Sequence, residues 1–196
     1  MAIHQGASLI HWNYFLALEQ DVEHLARFVE FSNDNFCTYS IEMAHLYLAA
    51  ASEVDVITKQ LCSQIENSSS PNNIEEYRDV LRPLLPELEN SAVTIPRYSL
   101  ELIPWSNWKN DKTPDWWRDH NKVKHNRGDN FALANLKNVL NAMAGLFIIN
   151  LYYHRGNING ARIEPPPNLF TPPSNIAAVM PTIGGRMALF FKDTLS

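Results

Sequence analysis

An arginine and a histidine, Arg118 and His125, stand seven positions apart in the polar segment WRDHNKVKHNR at residues 117–127. An α-helix turns by about 100° per residue, so the two side chains would share one face, about 20° apart around the axis. A guanidinium binds phosphate oxygens in pairs, and an imidazole titrates near neutral pH and can transfer protons. The pair therefore predicts a catalytic site for a phosphate ester.

Three further polar side chains of this segment, Asn121, Lys122 and Lys124, are predicted to bind the substrate. On a helix, Asn121 and Lys122 lie within about 60° of the arginine–histidine face. Trp116 and Val123 point to the opposite side, where the apolar core of the protein is expected. We therefore expect the polar face to point away from the core of its own chain.

RNA is the phosphate ester that suits this set of side chains. The ribose 2′-hydroxyl is an internal nucleophile that DNA lacks, so an imidazole that removes its proton and an arginine that stabilises the developing charge can cleave RNA without a metal or another cofactor. The residues predict these catalytic roles for His125 and Arg118. A solvated polar helix face and a phosphate-binding surface without chemistry remain open as alternatives.

The net charge of the chain limits the surface area that can bind a polyanion such as a nucleic acid. The net charge is −5 over 196 residues, which excludes a broad nucleic-acid-coating surface. Between Arg118 and Arg127, however, four cationic residues face a single acid, Asp119. Any contact with nucleic acid is therefore predicted to be confined to this segment.

The elements that must position the segment are long helices. Apolar residues recur at alternating steps of three and four over about residues 12–32, 38–67 and 130–154. A shorter helix is predicted from about Ile74, and Pro83 and Pro86 weaken its end because proline lacks an N–H donor and clashes with the preceding turn.

The polar segment itself is predicted to be a short helix between these longer ones. Thr113 and Pro114 suit a capping residue followed by proline at the first helical position, and Gly128 would end the helix after Arg127. Before it, residues 92–105 combine apolar residues with two prolines and have no helical period. That stretch predicts an extended connection with at most a short strand.

The predicted fold class is therefore mainly all-α, an antiparallel up-and-down bundle of four to five helices. We expect one helical-bundle domain over residues 1–156, followed by a C-terminal tail over residues 157–196. The tail contains six prolines but also several large apolar residues, so it is predicted to pack on the bundle. A short hairpin is expected around Gly184 and Gly185.

The remaining features favour a cytoplasmic protein without a metal centre. Cys37 and Cys62 do not form a redox or metal-ligand spacing, and the histidines are scattered along the chain. The N-terminus shows no secretory signal. The most apolar window, residues 142–153, is shorter than the roughly 20 residues that a bilayer span needs. We therefore predict no membrane contact.

The segment at residues 117–127 resembles the signature of the HEPN superfamily, in which an arginine, four to six intervening residues and a histidine lie on one helix. The spacing here is six, and the polar Asp119 directly after Arg118 fits that pattern. The stretch from Asn35 to Lys59, with its Thr38-Tyr39-Ser40 helix start, is also similar to proteins of this group. The proline-rich tail falls outside the resemblance.

The resemblance implies a helical bundle over roughly residues 10–155 and a homodimer in which two such helices face one another and form a composite ribonuclease site. It further implies a role in prokaryotic defence or toxin–antitoxin conflict, with an antitoxin protein as a partner. Family members without nuclease activity exist. Two functions are therefore carried forward, a metal-independent RNA endonuclease and a non-catalytic module that binds a nucleotide or a protein.

Overall fold

The computed structural model describes residues 8–66, 71–157 and 162–192. This part of the chain is mainly helical with a few short antiparallel strands, which confirms the mainly α-helical class. Its helices are α1 (Ile10–Leu25), α2 (Ile41–Ile65), α3 (Ile74–Leu84), α4 (Asp115–His125), α5 (Arg127–Asn130) and α6 (Leu136–Asn157). Its strands are β1 (Val93–Ile95), β2 (Leu100–Leu102), β3 (Arg162–Ile163), β4 (Ala177–Pro181) and β5 (Met187–Phe191).

The centre of the fold is α6, which contacts α1, α2 and α4. Its residues from Leu136 to Leu151 are buried almost without interruption, as expected for a helix that is apolar on all sides. Phe147 of α6 stacks on Phe15 of α1, with ring centroids 5.0 Å apart. No helix in the described ranges has the length and apolar character needed to cross a bilayer.

The long second helix follows the predicted pattern and begins at a capping residue. The hydroxyl of Ser40 accepts the N–H of Met43 at 3.1 Å, so a serine directly before the first apolar turn ends the extended backbone and starts α2. Tyr47, Val54 and Leu61 of the predicted stripe are all buried.

Several predicted helix boundaries are wrong. α1 ends at Leu25 rather than near residue 32, and α6 begins at Leu136 rather than near residue 130. The side chain of Asn135 accepts the N–H of Asn138 at 3.0 Å, a cap that marks the true start of α6. The described residues form six helices rather than four or five, because the chain before this cap folds into the additional short helix α5.

The connection at residues 92–105 contains two strands, whereas at most one was expected. β1 and β2 pair in antiparallel register, with Val93 opposite Leu102. The reversal between them uses a short helical turn at Pro96 and a left-handed backbone at Ser99, whose φ is 52°. Serine does not signal this conformation as glycine would, so the hairpin is not visible in the residue pattern.

The C-terminal segment contains the expected hairpin. β4 and β5 pair in antiparallel register, and the turn between them places Gly185 at a φ of 75°. The same segment contacts α1, because the indole N–H of Trp12 donates to the carbonyl of Pro165 at 2.9 Å.

One buried carboxylate joins this segment to α1. The side chain of Glu19 is 2% exposed and accepts three consecutive backbone N–H groups, those of Asn168, Leu169 and Phe170, at 2.9–3.1 Å. Burial raises the pKa of Glu19, and the three hydrogen bonds oppose that shift. The carboxylate therefore satisfies the buried N–H groups of Leu169 and Phe170, which would otherwise lack an acceptor.

Replacing Glu19 is expected to weaken the attachment of this segment. Glu19→Ala should lower the free energy of unfolding by about 2–3 kcal/mol, because it leaves buried N–H donors without an acceptor. Glu19→Gln should cost less, since its one amide oxygen can still accept two of them. Urea unfolding measures both losses, and Gln20→Ala, at an exposed position on the same helix, is the control. A Glu19→Ala protein as stable as the control would contradict this role.

Candidate functional site

The candidate site is built on α4, which is held in place through its aromatic side. Trp116 is 3% exposed and its indole N–H donates to the carbonyl of Pro104 at 2.8 Å. The hydroxyl of Tyr47, on α2, donates to the backbone carbonyl of Trp116. A Cβ at Gly145 of α6 would lie 3.0 Å from the indole of Trp116, so any larger residue would have to displace the indole by a few tenths of an ångström.

This packing gives α4 the predicted orientation. Trp116 and Val123 are buried, whereas Arg118 and His125 are exposed. The arginine–histidine face therefore points away from the core of its own chain.

Both predicted ends of this helix are wrong in detail. Pro114 is at the capping position and α4 begins at Asp115, while the hydroxyl of Thr113 donates to the carboxylate of Glu75 at 2.7 Å instead of capping α4. At the other end, Asn126 leaves the helical region with φ −146° and ψ 68°, so α4 ends at His125. Gly128 lies inside α5 and does not end α4.

Arg118 is oriented by two carboxylates. Its side chain is 53% exposed, and its Nη1 lies 2.8 Å from Asp115 Oδ1 and its Nε 3.4 Å from Asp119 Oδ1. A second terminal nitrogen, Nη2, also donates to Asp119 at 3.4 Å. Because a guanidinium has five N–H donors, these contacts leave one N–H on each terminal nitrogen available for a ligand.

Asp119 is the residue that organises the cationic face, a role that the sequence pattern did not reveal. Its side chain is 13% exposed. Besides Arg118 it accepts Lys122 Nζ at 3.2 Å and the amide nitrogen of Asn138, on α6, at 3.4 Å. The available sequence signal was an acid three positions before Lys122, a spacing at which helical side chains meet. The contact with Asn138 joins separate helices and has no sequence signal.

The acids around the face also reduce its positive charge. From Asp115 to Asp129 the chain carries four cationic residues and three acids. The prediction counted only Asp119 as an acid and so overestimated the local excess of positive charge. Lys124 is the cation of α4 that makes no ion pair among the described residues.

A cleft of about 440 Å³ lies between α2, the start of α3 and α4. Among the predicted site residues, Arg118, Asn121 and Lys124 line it, and Lys122 and His125 do not. The five predicted residues therefore do not share one pocket, because Lys122 and His125 lie outside the cleft. A larger groove of about 560 Å³ between α1 and α2 contains none of them.

His120 forms part of the cleft wall although it is only 4% exposed. Its ring packs against the rings of Tyr47 and Trp117, each with centroids 5.8 Å apart. Its Nδ1 has no hydrogen-bond partner among the described residues. Burial, reinforced by Lys124 and opposed by Asp55, lowers the pKa of His120 from 6.5 to about 4, so the imidazole is neutral at pH 7.

Comparison of the chain with protein-family models, with curated proteins and with solved structures gives no match.

The resemblance to the HEPN superfamily therefore stays a prediction based on the residues of α4. No group of three or more histidine, cysteine, aspartate or glutamate side chains in the described ranges is arranged to hold a metal ion.

The buried histidines should make the stability of the protein depend on pH. Burial also lowers the pKa of His154 to about 4. Between pH 6.5 and 4 the unfolded chain binds protons that the folded protein excludes, so stability falls as the pH falls. Each such histidine contributes a slope of up to about 1.4 kcal/mol per pH unit.

Replacing His120 by glutamine should remove its share of this slope. Urea unfolding of the wild type and of His120→Gln at several pH values between 7 and 4 measures the difference. His45→Gln, which changes a side chain that is 61% exposed, is the control and should follow the wild type. Equal slopes for the wild type and His120→Gln would show that His120 is not excluded from protonation by folding.

Proposed function

We propose that the protein is a metal-independent RNA endonuclease of HEPN type in which Arg118 and His125 are the catalytic residues. The observation that supports this best is their shared exposure on α4, opposite the buried Trp116 and Val123. A phosphodiester can thus approach both groups from solvent. Asn121, Lys122 and Lys124 are exposed on the same helix and are proposed to bind the substrate.

In the proposed reaction the imidazole of His125 takes the proton of the ribose 2′-hydroxyl, and the 2′-oxygen attacks the adjacent phosphorus. The bond to the 5′-oxygen breaks, that oxygen takes up a proton, and the products carry a 2′,3′-cyclic phosphate and a 5′-hydroxyl. The two unused N–H groups of Arg118 stabilise the charge that develops on the phosphoryl oxygens. Asp115 and Asp119 hold the guanidinium in a fixed direction, which favours bidentate binding.

The same orientation leads us to propose a homodimer. Among the described residues Arg118 pairs only with carboxylates of its own helix and His125 is exposed, so a second copy can cover both and complete a composite site. This proposal includes an antiparallel up-and-down arrangement of the long helices, a role in prokaryotic defence or toxin–antitoxin conflict, and an antitoxin protein as a partner.

A non-catalytic binding module is the second candidate. The observation that favours it is the pairing of Arg118 with two carboxylates, together with the nearly balanced charge between Asp115 and Asp129. Such a face can bind a nucleotide or a protein without cleaving RNA.

The two catalytic residues are expected to be separately necessary. Arg118→Ala and His125→Ala should each lower RNA cleavage in EDTA by about 10²–10⁴-fold, the range for loss of acid–base or charge-stabilising groups. Arg118→Lys should also be impaired, because an ammonium cannot bind two phosphoryl oxygens as a guanidinium does. Denaturing gels of a fluorescent RNA measure the rates.

Matched controls remove a similar group elsewhere on the surface. Lys137→Ala removes an exposed cation of α6, and His45→Ala removes an exposed imidazole of α2. Both should cleave like the wild type, and circular dichroism should show that every variant is folded. RNA that binds to the wild type but is not cleaved supports the binding module, and cleavage unaffected by either α4 variant would overturn the site.

The proposed dimer places α4 of two copies face to face. In a Cys37→Ser background, which removes the exposed native thiol, Asn121→Cys should form a disulfide-linked dimer under mild oxidation. Ser63→Cys, at an exposed position on α2, should remain largely monomeric on the same gel. Light scattering of the unmodified protein checks the mass in solution. A monomer at micromolar concentration, without cross-linking of Asn121→Cys, would contradict the composite site.

A further inference from the structure

We propose that the cleft between α2, α3 and α4 binds a nucleobase of single-stranded RNA beside the scissile phosphate, and that Asp55 and His120 select a base bearing an exocyclic amino group. This inference rests on the proposed function and adds the base preference. The cleft volume, about 440 Å³, lies within the range of roughly 300–1,000 Å³ found for small-ligand sites.

His120 carries a ring nitrogen, Nδ1, that has no hydrogen-bond partner among the described residues. Buried polar atoms in folded proteins are almost always hydrogen-bonded, and leaving one without a partner is unfavourable. His120 lines the cleft but its Nδ1 is itself buried, so a base can supply the missing partner only when the ring turns this nitrogen towards the cleft. Because the ring is neutral at pH 7, its two nitrogens comprise one donor and one acceptor, which suits the edge of a base.

The cleft is also lined by a carboxylate, that of Asp55. Asp55 of α2 lines it and accepts the hydroxyl of the buried Tyr77 through Oδ1 at 3.0 Å. That contact fixes the side chain, while the contacts among the described residues leave Oδ2 available as an acceptor. An aspartate oxygen pairs with the amino group of cytosine, whereas uracil presents a carbonyl oxygen at the same position.

Two buried aromatic rings form part of the cleft wall. The indole of Trp117 lines the cleft beside the imidazole of His120, with the two rings tilted by 53°. Because Trp117 is 6% exposed and His120 is 4% exposed, neither ring has a free face on which a base could stack, and the proposed recognition of the base is through polar contacts.

The charges around the cleft determine which way a nucleotide lies. Arg118 and Lys124 are at the α4 side, where they can contact phosphate. The start of α3 is already satisfied, because the side chain of Asn73 accepts the N–H of Glu76 at 3.0 Å and Glu75 adds a negative charge. The phosphate is therefore expected at Arg118, and the base between His120 and Asp55.

The experiment compares cytidine 5′-monophosphate with uridine 5′-monophosphate, whose bases differ at the position that Asp55 would contact. Nuclear magnetic resonance of ¹⁵N-histidine-labelled protein follows the ring nitrogens of His120, assigned by their loss in His120→Gln. We expect cytidine monophosphate to shift these resonances and to bind at least about tenfold more tightly than uridine monophosphate.

A conservative variant tests the preference itself. Asp55→Asn keeps an oxygen for Tyr77 but can present an N–H₂ group to the ligand, so the preference should fall or reverse towards uridine monophosphate. Glu42→Gln, which removes an exposed carboxylate from the same helix, should leave the preference unchanged. Urea unfolding confirms that both variants are folded.

The outcomes separate this inference from the proposed ribonuclease activity. Cytidine preference with perturbation of His120 supports the cleft, even if no RNA is cleaved. Equal affinity for the two nucleotides, no perturbation of His120, or an unchanged preference in Asp55→Asn overturns it, even if Arg118 and His125 prove to be catalytic.

Discussion

The packing of Trp116 against α6 is the constraint on which the rest of the site depends. It is tight enough that a Cβ at position 145 would press on the indole, and it is reinforced by the hydroxyl of Tyr47, which donates to the carbonyl of Trp116. Because this side of α4 is buried, the helical period places Arg118 and His125 on the opposite side, where they are exposed to solvent. An apolar contact in the core therefore determines which way the charged groups point.

Ion pairs then fix the direction of the arginine side chain that this packing has placed at the surface. Asp119 binds two cations of its own helix and the amide of Asn138, so the cationic face is tied to α6 as well as to α4. The same acids that orient Arg118 also offset its charge. The face is thus suited to a ligand that offers paired oxygens in a defined geometry, rather than to polyanions in general.

Much of this architecture could be predicted from residue patterns, for a physical reason. The stripes of α2 and α6 and the opposed faces of α4 repeat within one helix, so one segment contains the whole signal. The predicted cap at Thr113 is wrong because the hydroxyl of Thr113 donates to Glu75 on another helix. Ser99 adopts a left-handed backbone conformation, which a serine in the sequence does not indicate. The cleft beside His120 depends on how separate helices approach one another.

Because α4 is short, the site can form only when this helix is docked on the rest of the protein. The helix has 11 residues, no side-chain cap at its start and a break directly after His125. An isolated peptide of that length is marginally helical in water, so its order comes from docking onto α2 and α6. The amides of α4 should therefore exchange with solvent only in the same cooperative opening that unfolds the core. A fragment carrying the motif alone would have the residues of the site without their arrangement.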